Sequence, residues 1–128
     1  MTKSQMLGNL QLAIMRALWN RTEATVSDVH ADLLQARGLA PTTIATMLTK
    51  MESRGLVTHR TEGRRFVYKP TVSETEATRS MVADLTERLF SGRVTELVSH
   101  LIAEHEIDDA ELAELNALIS KAENKESE

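Results

Sequence analysis

Cysteine is absent from all 128 residues, so the chain can form no disulfide, hold no thiolate-bound metal and offer no cysteine nucleophile. Long apolar runs are missing too: none approaches the ~18 residues that a membrane-spanning helix needs, which predicts no membrane insertion. The opening residues, MTKSQMLGN, lack the apolar stretch of a secretory signal. These absences together predict a cytoplasmic protein. Aromatic residues are scarce at 3%, against 41% hydrophobic and 27% charged overall, the balance of a soluble chain of one domain or two small ones. No G-x-S-x-G, Walker loop or dinucleotide fingerprint occurs, and no internal repeat or low-complexity linker, so an enzyme or a bound cofactor has no support.

What is present is unevenly distributed. The net charge of −4 conceals ten Lys and Arg against five Asp and Glu in residues 1–70, and five against fourteen in residues 71–128. A basic half joined to an acidic half suggests that one part meets a polyanion while the other does something else. Chance clustering is the competing explanation, so the charge needs support from local pattern.

That pattern is helical at first. Leu12, Met15, Leu18 and Trp19 fall on one face of a helix from about Asn9 to Asn20. Thr25 with Asp28 three positions later resembles a capping box, opening a helix that buries Val26, Val29 and Leu33. Gly38 ends it, Leu39 and Ala40 follow, and Pro41 starts the next helix in the first-turn slot where proline is tolerated. Two helices joined by so short a glycine-containing turn form a helix-turn-helix. After Gly55 the period changes to alternation: LVTHRTE (56–62) and RFVYKP (65–70) read as a hairpin with Glu62-Gly63-Arg64-Arg65 at its tip. The fold class expected is mainly α with a small β-hairpin wing: a winged helix-turn-helix domain over 1–71, followed over 72–128 by a helical dimerisation region with a frayed polar tail.

The helix APTTIATMLTKMESRG (40–55) is unusually rich in threonine, a stiff and mediocre helix former. Turned at about 100° per residue, Ile44, Met47, Leu48 and Met51 face the core while Thr42, Thr46, Thr49 and Ser53 lie opposite, flanked by Thr43 and Lys50, with Arg54 further round. Glu52 lies off that stripe. Hydroxyls can bond phosphates or base edges and threonine methyls can meet the thymine methyl, so this face suits duplex DNA. Lys50 and Arg54, with Arg60, Arg64 and Arg65 of the wing, are placed to neutralise phosphates.

The second half carries three further helical patterns. Ser73 and Glu76 form a second capping box, after which Met81, Leu85 and Leu89 share a face. Beyond Ser91-Gly92 come Val94, Leu97, Val98, Leu101 and Ile102 at helical spacing. Asp108 caps a last helix, with Glu111 at N3, Ile107 and Leu112 set for a hydrophobic staple, and Leu115, Leu118 and Ile119 continuing its stripe. Three short helices with one apolar stripe each bury little alone, which favours pairing with a second copy over a separate fold. Folding back onto the wing domain is the alternative. Two apparent metal motifs fail on spacing. H-L-I-A-E-H (100–105) has one residue too many for H-x-x-E-H. The acidic cluster Glu104, Glu106, Asp108, Asp109 and Glu111 lacks a calcium loop's Asp-x-Asp-x-Asp-Gly.

The segments LQLAIMRALWNRTEATVSDVHADLL, PTTIATMLTKMESRGLV and GRRFVYKP resemble the penicillinase and methicillin-resistance repressors, the BlaI/MecI family, in a likeness that spans residues 7–120. The resemblance implies a dimeric winged-helix transcriptional repressor bound to a palindromic operator, commonly with TACA/TGTA half-sites, that silences resistance or stress genes. It implies base or phosphate contacts from Thr42, Thr43, Thr46 and Lys50. Ala45 stands where the staphylococcal members often carry a long basic residue. In some members a membrane-embedded sensor protease triggers cleavage in the dimerisation half; the matching pair here is His100-Leu101, in place of Asn-Phe. Copper-responsive relatives add cysteine pairs, which this chain lacks. Two other readings stay open: a winged-helix regulator that answers to a small molecule, and a helical adaptor whose winged domain binds protein, since a fold does not dictate its use.

Overall fold

The computed structural model describes residues 7–104 and 107–127. Its elements run α1 (Asn9–Arg21), β1 (Ala24–Thr25), α2 (Val26–Arg37), α3 (Pro41–Ser53), β2 (Val57–Glu62), β3 (Arg65–Pro70), α4 (Glu74–Phe90), α5 (Val94–Glu104) and α6 (Asp109–Ser127). Contacts divide the chain into two compact units, and the division falls inside α4, between Leu85 and Thr86.

The first unit is built on the apolar faces read from the periodicity. Ile14, Met15 and Leu18 of α1, Val29 of α2, and Ile44, Leu48 and Met51 of α3 are wholly buried, and Leu56, Val57 and Tyr68 close the core from the wing. Each such side chain contributes about 1.5–3 kcal/mol by leaving water. The face of α1 is turned slightly from expectation: Ile14 and Ala17 are buried, whereas Leu12 and Trp19 are half-buried. Trp19 stays at the margin because its Nε1–H donates to the Val72 carbonyl at 2.9 Å, a bond that satisfies the indole and ties down the chain after the wing.

The ends of the helices follow their local chemistry. The Thr25 N–H donates to the Asp28 carboxylate at 3.0 Å and the Asp28 N–H to Thr25 Oγ1 at 3.2 Å, a closed capping box. His30 Nε2–H donates to the Leu39 carbonyl at 2.8 Å, bracing the turn between α2 and α3. Gly55 takes φ 78°, its N–H donates to the Glu52 carbonyl, and the Leu56 N–H reaches the Met51 carbonyl. This is a Schellman end, with Leu56 packed in the same core as Met51. It turns the chain from the recognition-type helix directly into the wing.

The wing has three strands, not two. β2 and β3 pair antiparallel with Glu62 opposite Arg65, and Gly63 takes the positive φ of 65° that a two-residue loop needs at its first central position. β1 adds to the other edge of β3, Ala24 opposite Tyr68 and Thr25 opposite Val67, giving the order β1-β3-β2. Two residues are too few to show alternation in a sequence, so this strand had no local signature.

In the second unit the Glu111 N–H donates to Asp108 Oδ1 at 2.8 Å, as the capping signal predicts. α6 continues to Ser127, so the tail expected to fray is helical; Lys, Ala and Glu are all good helix formers. His105 and Glu106, of the two apparent metal motifs, lie outside the described residues, as do residues 1–6. Among the described residues no group of His, Asp and Glu is arranged for a metal, and no helix is long and apolar enough to cross a membrane.

Candidate nucleic-acid interface

Because Ile44, Leu48 and Met51 are drawn into the core, the opposite side of α3 is turned outward. Thr42, Thr43, Thr46, Thr49, Lys50, Ser53 and Arg54 are all exposed, and Ala45 is half-buried at the edge nearer the wing. The centre of this face carries no acid. Two of its hydroxyls are committed to their own helix: Thr49 Oγ1–H donates to the Ala45 carbonyl at 3.0 Å and Ser53 Oγ–H to the Thr49 carbonyl at 3.2 Å. The threonines free to offer a hydroxyl to a ligand are therefore those of the first turns, Thr42, Thr43 and Thr46.

Glu52, on the flank, holds the wing. His59 Nδ1 of β2 lies 2.7 and 2.8 Å from its two carboxylate oxygens, and the His59 ring stacks on Phe66 with centroids 4.2 Å apart. Tyr68 completes the cluster; burial, then the Glu52 charge, push its hydroxyl above the usual tyrosine range. On the other flank Arg54 Nη1–H donates to Gln11 Oε1 of α1 at 2.9 Å. Helix α3 is thus pinned by polar contacts on both sides; Glu52 meets its neighbour in the chain seven residues on, whereas Arg54 meets Gln11 across 43 residues, a pairing no local pattern shows.

His59 pairs with Tyr68 and Thr61 with Phe66, so these residues share the face turned toward α3; Arg60, opposite Val67, and Arg65, opposite Glu62 at the hairpin tip, start from the other face. There Arg60 bonds both oxygens of Glu23, at 2.6 and 2.9 Å, and Glu62 at 2.9 Å. The pairing raises its own pKa and holds the Glu23 carboxyl below the usual range. Arg60, expected among the phosphate-neutralising residues, is not brought together with α3. Arg64 and Arg65 are: with Ala45, Thr49, Phe66 and Tyr68, and with Thr25, Val26 and Ser27 where α2 begins, they line a groove of about 370 Å³ beside the recognition-type helix. Phe66 is 47% exposed there, an apolar ring that strand periodicity alone does not single out.

The residues expected to pair two copies lie in α4, α5 and α6. Met81, Leu85, Leu97 and Leu115 are half-buried, whereas Leu89, Val94, Val98, Leu101, Ile102, Leu112 and Ile119 are exposed. Within the second unit, α5 and α6 leave an apolar groove of about 550 Å³ between Val98, Leu101, Ile102, Leu115 and Leu118, edged by Glu111 and Glu114. His100, exposed, sits in the middle of α5 with its ring against Phe90, so the His100-Leu101 bond is part of a regular helix.

Three helices, a glycine-ended turn into α3 and a basic-tipped antiparallel wing define a winged helix-turn-helix protein. The family model described as the penicillinase repressor matches residues 7–121. The transcriptional regulator BlaI of Mycobacterium tuberculosis is 34% identical over 124 residues, covering 91% of this chain and 90% of that protein. Two solved structures are similar at 30% identity, each covering 59% of this chain and 93% of the other. One is the DNA-binding domain of the repressor BlaI, at a TM-score of 0.52. The other is Bacillus licheniformis BlaI in monomeric form in complex with the blaP half-operator, at 0.50. The chain belongs to the penicillinase repressor family.

Proposed function

We propose that the protein is a cytoplasmic, homodimeric transcriptional repressor that binds a palindromic operator in double-stranded DNA and controls resistance or stress genes. Each subunit lays α3 in the major groove with Thr42, Thr43 and Thr46 toward base edges and Lys50 toward phosphate. Arg64 and Arg65 grip the backbone from the wing. The observation that carries this reading is the outward face of α3, small, hydroxyl-bearing and free of acid, bordered on one side by a cationic groove. The likeness to BlaI in complex with a half-operator supports the same use of the fold.

The reading assigns DNA contact to the winged unit and self-association to the helices after it. Val94, Val98, Leu101, Ile102, Leu112, Leu118 and Ile119 of α5 and α6 are exposed apolar side chains that a partner would cover. A two-fold pairing would cover them and set the two recognition helices about 34 Å apart, one turn of duplex. Release by a membrane sensor protease acting at His100-Leu101 requires α5 to unwind first, because that bond lies within its helical turns.

Titration of random-sequence duplex at increasing salt tests the reading. A repressor shows binding that falls steeply and linearly in log–log form; an adaptor that uses its winged domain for protein shows none. On a selected duplex, Thr46→Ala changes the preferred base at one position by about 1–3 kcal/mol.

A further inference from the structure

We propose that the groove between α3 and the wing is a thymine-methyl reader, with Ala45, Thr49 and Phe66 as its specificity-determining residues; this rests on the DNA-binding reading above. Beside the hydroxyls of Thr25, Ser27 and Tyr68, the groove offers apolar groups from Ala45, Thr49 and Phe66. Ala45 ends at its β-carbon. Thr49 has its hydroxyl proton on the Ala45 carbonyl, so its methyl is the group left to offer. Phe66 presents a ring that is 47% exposed, although a strand residue so close to a core is normally covered.

That ring is held firmly. Its stack on His59, 4.2 Å between centroids and 24° from parallel, leaves it one fixed platform, and Glu52 fixes His59 in turn. A rigid apolar platform costs little ordering on contact. The rim is cationic, with Arg64 and Arg65 lining the same groove. An apolar spot beside two guanidinium groups complements a methyl carried on a base next to its own phosphate strand. Thymine is the DNA base that presents such a methyl in the major groove, and small aliphatic or phenyl side chains are its usual contacts.

The test uses a duplex recovered by selection from random-sequence DNA, resynthesised with each thymine in turn replaced by uracil, which removes the methyl and leaves pairing intact. The expected result is one position in each half-site where uracil weakens binding about fourfold, the worth of one buried methyl. In Phe66→Ala and in Ala45→Ser that penalty disappears, so that each variant binds the thymine and uracil duplexes alike. Ala45→Ser leaves the wing untouched, so it decides the matter if Phe66→Ala fails to fold. Indifference of the unaltered protein to every uracil overturns the proposal, as does a penalty that persists in Ala45→Ser. Absence of any duplex binding fails the underlying DNA reading instead, and the salt titration reveals that separately.

Discussion

His59 Nδ1 lies 2.7 Å from one carboxylate oxygen of Glu52 and 2.8 Å from the other, and this one contact joins the wing to the helix it must act beside. Glu52 sits on the flank of α3 and His59 on the strand leaving it, seven residues on, so the pair fixes the angle between two elements that share a DNA-facing groove. Removing the imidazole takes away both the bond and the platform under Phe66. His59→Ala is expected to cost about 1 kcal/mol of stability, the worth of a partly exposed charged hydrogen bond. Urea denaturation measures that cost. Affinity for a selected duplex should fall more than affinity for random duplex, because base contacts tolerate a displaced wing less than phosphate contacts do.

Lysine and arginine substitutions should separate by face. Lys50→Ala and Arg64→Ala are each expected to lower the salt slope of duplex binding by about one, the signature of one lost phosphate contact. Arg60→Ala should leave the slope unchanged, since its guanidinium faces away from α3 and is occupied by Glu23 and Glu62. Fluorescence anisotropy at a series of salt concentrations checks all three, and a reduced slope for Arg60→Ala would mean that the network opens when DNA binds.

A charge placed on the apolar face of the second unit should block self-association. Leu118→Glu is expected to give a monomer in light scattering, and its side chain is 63% exposed in the single chain, so the subunit fold is retained. Binding to a full palindrome should drop toward that for a half-site, as the second recognition event ceases to be intramolecular. An unsubstituted protein that is already monomeric at micromolar concentration would refute the dimer.

Acid should loosen the winged unit through its capping and paired carboxylates. The backbone N–H of Thr25 holds Asp28 below the ordinary aspartate value of 3.8, and the Arg21 guanidinium does the same for Asp32. Depressed values in the folded state mean that their stabilisation is complete above 3.8 and drains away as pH falls through the lower folded values. Urea midpoints should therefore be flat near neutrality and decline below that point. Asp28→Asn should flatten part of the decline, because its side chain no longer titrates.

Much of the fold could be read without coordinates because its signals are local. Thr25 with Asp28, Ser73 with Glu76 and Asp108 with Glu111 each announce a helix start within three residues, and all three caps are formed. Gly55 and Gly63 mark turns whose positive φ values only glycine adopts easily. The polar tail is helical to Ser127, since Lys, Ala and Glu favour a helix even where no apolar stripe marks one. Strand β1 has no such signal, because two residues have no period.

The sequence by itself determined that α3 turns its threonines away from the core, since the spacing of Ile44, Leu48 and Met51 allows no other arrangement of one helix. It equally determined that a basic hairpin follows. Only the tertiary structure decided which charges remain available to a polyanion. Arg60 meets Glu23 across 37 residues and Arg54 meets Gln11 across 43, whereas Arg64 and Arg65 stay beside Ala45 and Thr49. The reason is one of range. Periodicity fixes which way a side chain leaves its own helix or strand, but its partner depends on strand register and on how distant elements pack, and a change of one residue in register moves an arginine to the opposite face of the wing.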